Sequence, residues 1–366
     1  MRINIIGNNA NDNNVTDGGR IKIRLFRDLL EKENYDVHVI ELDGWKRNPL
    51  KLLIEIKKAI KLSERIVIMA GPRGCRLIIP IVNFFNRKKK SHVVFCPLGI
   101  GTLDALIKKM SKEEAQKFLS GEIEIKNKDL EMGKNLSLLD YVVVENKALL
   151  KRYKSFYNID NVFVLENFRD LVVEKRDYNH EIPMKVVYYS RVKNYKGIFD
   201  LINAVKAINK KSNEREILLD IYGDIQLSEE ENKIFFSLLD DEIKYNGVTS
   251  QDESIALLKR YDLFCLPTKY YGEGTSGALV EAMIAGTPVL VSSYSQVKEL
   301  VSNGDSGLIF DFDSIESLQK NLENAIALHK EGLLERIGIS GQIFAEKYTY
   351  KYNKCAFLKY FAGKAD

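Results

Sequence analysis

The chain has 366 residues, which at roughly 100–200 residues per domain suggests two units rather than one. With 45% apolar and 29% charged residues, it falls outside the disordered, collagen-like and small disulfide-stapled classes. A net charge of +4 is too small to point to nucleic acid. Cys75, Cys96, Cys265 and Cys355 form no Cys-x-x-Cys pair, which reads as reduced thiols without a zinc ribbon.

The chain opens on a short apolar run (residues 2–6) that predicts a strand and is too short for a signal-peptide core, so the protein is expected to remain in the cytoplasm. Ile21, Leu25, Phe26, Leu29 and Leu30 then recur at helical spacing. Further strands are predicted over 37–40, 65–69, 92–96, 141–144 and 162–165. The longest apolar stretch, 77–85, contains Pro80 and Asn83 and is about half of what a membrane-spanning helix needs. Residues 108–135, rich in Lys and Glu, read as a solvated helical excursion or a mobile loop facing a partner.

Residues 169–183 are polar without periodicity and read as a linker. After them the alternation restarts, with strands predicted over 185–189, 217–222, 243–245, 263–266, 289–291 and 307–310. Alternating continuous apolar strands and helices predict α/β architecture, in two doubly wound parallel sheets. The expected division is 1–168, linker 169–183, 184–345, and a closing segment 346–366 whose helix packs back on the first domain. Ligands of such sheets sit beyond the carboxyl ends of the strands, here in a cleft between the two domains.

The richest segment runs from Pro267 to Pro288. It leaves an apolar strand, passes a glycine-rich turn and enters a helix that is apolar all round except at Glu281. Such a helix is buried, so Glu281 needs hydrogen-bonding partners, either a ligand's hydroxyls or a lysine of the chain. Glu273 lies eight residues earlier, and the amides of Gly274, Thr275 and Ser276 open the helix where an anion such as phosphate is favoured. At the end of the 185–189 strand stand Arg191 and Lys196. Alone they are ordinary surface charges; beside the Glu273 turn they make a diphosphate clamp.

The element Glu273-x7-Glu281, followed by Ala282, Met283, Ala285, Gly286, Thr287 and Pro288, resembles the signature of retaining family 4 (group 1) glycosyltransferases of GT-B architecture. The Arg191…Lys196-Gly197 loop, the Tyr222-Gly223-Asp224 turn and Asn246-Gly247-Val248 match that family in order and spacing. The strands at 141–144 and 162–165, with Asn167 and Phe168, resemble elements of capsular and exopolysaccharide glycosyltransferases. The resemblance implies that Arg191 and Lys196 bind the donor's diphosphate and that Glu281 holds the ribose hydroxyls. It also implies that Glu273 contacts the transferred sugar, that Gly274, Thr275 and Ser276 meet the distal phosphate and sugar, and that Gly247 and Val248 line the base. Asp17-Gly18-Gly19-Arg20 is similar to the family's glycine loop over the diphosphate. Catalysis would rest on Glu273, Arg191 and Lys196, without a protein nucleophile. The family carries a histidine at a first-domain strand end; here that strand runs into Cys96-Pro97-Leu98-Gly99-Ile100-Gly101, and the Gly99–Thr102 backbone takes its place.

On the acceptor side, Arg73 and Arg76 follow the 65–69 strand, either meeting an anionic acceptor or decorating a plain Gly-Pro turn. Arg87-Lys88-Lys89-Lys90 reads as a solvated charge run or as a patch for anionic lipid head groups, which would suit a lipid-linked acceptor at the cytoplasmic membrane surface. Asp311 and Asp313 read as a helix cap, Asp313 with Glu316 forming a capping box, and His38, His92, His180 and His329 as isolated. Hence no metal and no cofactor are expected. The reading is a retaining transferase taking a sugar from a nucleotide-diphosphate sugar, a UDP-sugar by preference, to a growing or lipid-linked glycan. The alternatives are a phosphorylase-like or epimerase-like enzyme on the same fold, and a non-catalytic sugar-nucleotide-binding partner of another transferase.

Overall fold

Runs of Val and Ile, β-branched and too short for helices, form two six-stranded parallel sheets in the computed structural model. The structure describes residues 1–8, 18–125, 129–212, 215–294 and 296–364. The chain divides into two units: Met1–Asn167 with Tyr350–Asp366, and Phe168–Thr349.

In the first unit the strands are β1 (Arg2–Gly7), β2 (Asp36–Glu41), β3 (Arg65–Met69), β4 (His92–Phe95), β5 (Tyr141–Val144) and β6 (Val162–Val164), in the order β2-β1-β3-β4-β5-β6. Ile5 lies opposite Val39 on one side and Val67 on the other. From β1 the chain runs to one edge and from β3 toward the other. Right-handed crossovers therefore set the helix Gly18–Lys32 on one face and Pro49–Leu62 and Pro72–Phe85 together on the opposite face. The helix Tyr350–Ala362 belongs to this unit: Phe357 and Phe361 set their rings edge-on to Phe26, 5.0 and 4.9 Å away. Arg65 Nη1 donates to the Tyr360 carbonyl at 2.9 Å. Lys354 pairs with Glu33 at 2.5 Å, and its hydrogen bond holds that carboxyl below the usual range.

The second unit contains β7 (Met184–Tyr189), β8 (Ile217–Tyr222), β9 (Ile243–Tyr245), β10 (Leu263–Leu266), β11 (Val289–Ser292) and β12 (Leu308–Phe310), ordered β12-β11-β10-β7-β8-β9. Strand order reverses between β7 and β10, so their carboxyl ends flank the topological switch point. One core packs Val186 and Tyr188 under the helices Ile198–Lys211 and Ile315–Lys330; the other packs Val187 and Phe264 under Gly277–Ile284.

Three local expectations are corrected. Within residues 108–125 and 129–135 the chain is not solvated throughout: the helices Lys112–Ser120 and Leu130–Ser137 bury Ala115, Phe118, Leu119, Met132 and Leu136, narrow apolar stripes hidden among charges. The stretch 169–183 lies along the second unit. Arg169 and Arg176 are buried, and Arg176 donates to Thr287 Oγ1 at 2.7 Å and to the Tyr261 carbonyl. Single hydrogen-bonding side chains hold this strap, which is why it shows no periodicity. Near residue 313, the cap is Ser314, accepting from the Ser317 amide at 3.1 Å, while Asp313 adopts a left-handed φ of 56° outside the helix.

Cys75, Cys96 and Cys265 are buried, and burial pushes their thiols up, that of Cys75 to about 12; Cys355 is exposed. Thiolates, not thiols, react. Titration of the native protein with Ellman's reagent at about pH 8 is expected to find one reactive thiol, Cys355, and all four only after denaturation.

Candidate functional site

At the switch point of the second sheet, Lys196 and Glu273 form an ion pair. Lys196 ends a short 3-10 turn, Asn194–Lys196, after β7, and Glu273 lies in the turn after β10. Gly197 brings the two loops together. Its φ is +77°, and a Cβ there would sit 1.9 Å from the Pro267 carbonyl oxygen, so only glycine fits. Lys269 N donates to the Tyr195 carbonyl at 2.8 Å, and Lys269 Nζ pairs with Asp200 at 3.0 Å, lacing the loops further. Thr268, fully buried, donates from Oγ1 to Glu273 Oε2 at 3.2 Å and accepts from the Tyr270 amide at 3.2 Å.

Glu281 is buried in the helix Gly277–Ile284, as its apolar surroundings predict. Its partner is an arginine and not a lysine: Arg169 Nε donates to Glu281 Oε1 at 2.7 Å, with both side chains nearly excluded from solvent. Arg169 Nη1 also donates to the Phe168 carbonyl at 3.1 Å. The Arg169 guanidinium occupies the space a side chain at position 277 would need: a Cβ on Gly277 would come within 1.5 Å of its Nη2. Burial, with the Glu281 carboxylate close by, raises the Tyr189 phenol, which stays protonated. Arg169 was missed because it stands 112 residues from Glu281 in a stretch that resembles a linker. A lone arginine in a polar strap is the only signal it leaves.

The remaining expected residues fall into place unevenly. Gly274, Thr275 and Ser276 lead into the helix, whose N-cap Ser276 makes no side-chain capping bond. Arg191 is half-buried, and its carbonyl accepts from the Tyr188 hydroxyl at 2.7 Å. Gly247, at φ +79°, faces open space, and the Val248 side chain beside it is exposed.

In the first unit, Gly18 opens the helix Gly18–Lys32 and Gly19 follows it, whereas Asp17 lies outside the described residues. Arg73 lines a cavity of about 690 Å³ at the carboxyl edge of the sheet, with Trp45, Arg47, Leu77, Asp104 and Lys108. Arg76 is instead paired with Asp129. Gly99 faces open space, but Gly101 is buried against Tyr153, whose hydroxyl accepts from the Thr102 amide at 3.1 Å and donates to the Ile100 carbonyl at 3.2 Å. That backbone is held in place by packing around the Tyr153 hydroxyl. A buried pair not anticipated, Lys22 with Glu145 at 2.6 Å, lies beside Cys96 at the same edge.

His92 starts β4, is exposed, and faces Asp140 at 3.3 Å, far from the carboxyl edge. His180 and His329 are not isolated from one another, their rings standing 5.9 Å apart. Among the described residues, no group of three or more His, Cys, Asp or Glu could hold a metal ion.

Residues 174–342, all within the second unit, match the family model "Glycosyl transferases group 1". The chain is 27% identical over 228 residues to an uncharacterized glycosyltransferase, MJ1069, of Methanocaldococcus jannaschii, covering 57% of each, so it spans little more than half of that relative. It is 22% identical to the capsular polysaccharide biosynthesis glycosyltransferase CapM of Staphylococcus aureus, over 92% of this chain and 94% of that one. Its fold superposes on Anabaena HepE, solved in complex with UDP, with a TM-score of 0.71 at 16% identity, covering 97% and 98%. Residues 174–342 are therefore a glycosyltransferase group 1 domain, carried in a chain with the GT-B fold.

Proposed function

We propose that this chain is a retaining glycosyltransferase that moves a sugar from a UDP-sugar to a growing, lipid-linked cell-surface polysaccharide. The observation that carries the reading is the Lys196–Glu273 pair at the switch point, beside the turn that opens the helix bearing Glu281. In this reading Arg191 and Lys196 take the diphosphate, with Lys196 exchanging its bond to Glu273 for one to phosphate. Glu273, released, meets the sugar hydroxyls; Glu281, already oriented by Arg169, takes the ribose hydroxyls. The amides of Gly274, Thr275 and Ser276 add hydrogen bonds to the distal phosphate. Gly247 and Val248 line the base, and Gly18 and Gly19 contact the diphosphate.

The bond from the anomeric carbon to the β-phosphate oxygen breaks while the acceptor oxygen bonds that carbon on the same face. The acceptor's proton passes to the departing phosphate. Charge grows on the leaving group, so cations and amides placed there lower the barrier more than they tighten substrate binding. Two side-chain cations do this without a metal ion, so turnover is expected to survive EDTA. CapM's name and the UDP in the HepE crystals support the class of product and the base. We place the reaction on the cytoplasmic side of the membrane.

A thermal-shift screen of the full chain against nucleoside diphosphates is expected to single out UDP, since a ligand of the native state raises its stability by mass action. Release of UDP from UDP-sugars then reads turnover. A shift with UDP but no turnover of any UDP-sugar, with or without glycan acceptors, would favour the non-catalytic binding partner. No shift with any nucleotide would overturn the reading.

A further inference from the structure

Charge is distributed unevenly along this chain. Residues 45–90 hold thirteen Lys and Arg against two Glu, a net +11, while the whole chain carries +4; the rest is therefore −7. This segment supplies the 3-10 turn Trp45–Arg47 and the helices Pro49–Leu62 and Pro72–Phe85, which pack on one another on one face of the first sheet.

The outward sides of these helices are not merely polar. On Pro49–Leu62, Leu52, Ile56, Ala59 and Ile60 face the core. A helical turn away, Leu50 is 71% and Ile54 66% exposed, in one stripe with Lys57, Lys58 and Lys61. On Pro72–Phe85, Leu77 is exposed and Phe84 is 56% exposed, with the Arg87 guanidinium 4.1 Å from the Phe84 ring centre. Two adjacent helices thus each have a buried apolar face and, on the solvent side, large apolar side chains ringed by lysine and arginine. Solvated helices of monomeric proteins keep such stripes polar. Apolar side chains at the centre of a cationic face match a surface that is apolar within and anionic at its boundary. Lysine stems can lie along the acyl boundary while their ammonium groups reach the head groups. A duplex nucleic acid would use the positive charge but leave Leu50, Ile54 and Phe84 without a role.

We propose that this face of the first unit docks on an anionic lipid bilayer, with Leu50, Ile54, Leu77 and Phe84 entering the head-group boundary and the surrounding Lys and Arg meeting lipid phosphates. Arg73 and Leu77 belong both to this face and to the wall of the Trp45 cavity, so docking would hold that cavity at the lipid surface. The inference rests on the proposed function only for its purpose, which is to bring a lipid-linked acceptor to the enzyme. The docking itself is read without any sugar nucleotide.

The test is co-sedimentation of the full chain with vesicles of phosphatidylcholine alone, or mixed in equal parts with phosphatidylglycerol. Binding is expected to the mixed vesicles only, weakening as salt is raised. Leu50→Ser/Ile54→Ser, which leaves the charge unchanged, and Lys57→Gln/Lys58→Gln/Lys61→Gln should each weaken binding about tenfold or more. Lys233→Gln/Lys320→Gln, an exposed pair in the second unit, should bind as the parent does. Circular dichroism of each variant checks that the fold is kept; the five substituted positions of the first two variants are all exposed, and all but Lys61 precede the helix's last turn. Failure of the parent chain to bind mixed vesicles would overturn the proposal. So would serine variants that bind like the parent, or an RNA duplex that strips the chain from vesicles in proportion to its charge. Loss of UDP binding with vesicle binding intact would sink only the functional reading.

Discussion

Arg169→Ala is expected to destabilise the second unit by about 3–5 kcal/mol, the usual cost of removing one partner from a buried ion pair. Glu281 would be left in an apolar helix without its donor, and the Phe168 carbonyl would lose its guanidinium bond. Urea unfolding of the full chain, followed by a probe in the second unit, reads the loss, since a two-unit chain need not unfold in one step. Arg169→Met/Glu281→Met should recover most of the stability, because well-packed apolar side chains of similar size can replace a buried pair at little cost. The double-mutant cycle then isolates the coupling between the two residues. The same variants separate the two roles of Glu281. If it takes ribose hydroxyls, Glu281→Gln should weaken UDP while keeping the fold; unchanged UDP affinity would leave the pair purely structural.

Lys196→Ala should lower turnover of a UDP-sugar about 10²–10³-fold, the range seen when one preorganised donor to a developing anion is removed. Most of the loss should appear in kcat rather than KM, since the phosphate's charge grows as the sugar departs. Lys196→Arg should not rescue fully: the wider guanidinium must fit beside Gly197, already closed against the Pro267 carbonyl. Because Lys196 also pairs with Glu273, Glu273→Gln is the companion variant; it keeps the hydrogen bond from Thr268 and removes the ion pair. A Lys196→Ala protein that folds and turns over normally would remove both residues from the catalytic site.

Much of the architecture could be read from residues alone, because strand burial on both faces leaves a local mark: four or five consecutive apolar, β-branched residues. Ile217–Tyr222 and Tyr141–Val144 have the bounds expected of them, and others differ by a residue at the ends, where hydrogen bonding rather than composition decides. Glu281 was legible as a buried carboxylate for the same local reason. Less could be read where the apolar stripe is thin, as at Ala115, Phe118 and Leu119 among lysines and glutamates, or where one residue's φ decides, as with Asp313 yielding the cap to Ser314.

The amino-acid order alone determined the two doubly wound sheets, the strand ends beyond which Arg191, Lys196 and Glu273 stand, and the burial of Glu281 in its helix, since each follows from patterns within some twenty neighbours. Only the tertiary structure decided that Lys196 closes on Glu273, that Arg169 reaches across from residue 169 to neutralise Glu281, and that Arg76 is spent on Asp129 while Arg73 lines a cavity. Those pairings join residues 53 to 112 positions apart. Partners at such distances are chosen by which strand ends the sheet order brings side by side and by which glycine lets two backbones meet, and no local pattern records either.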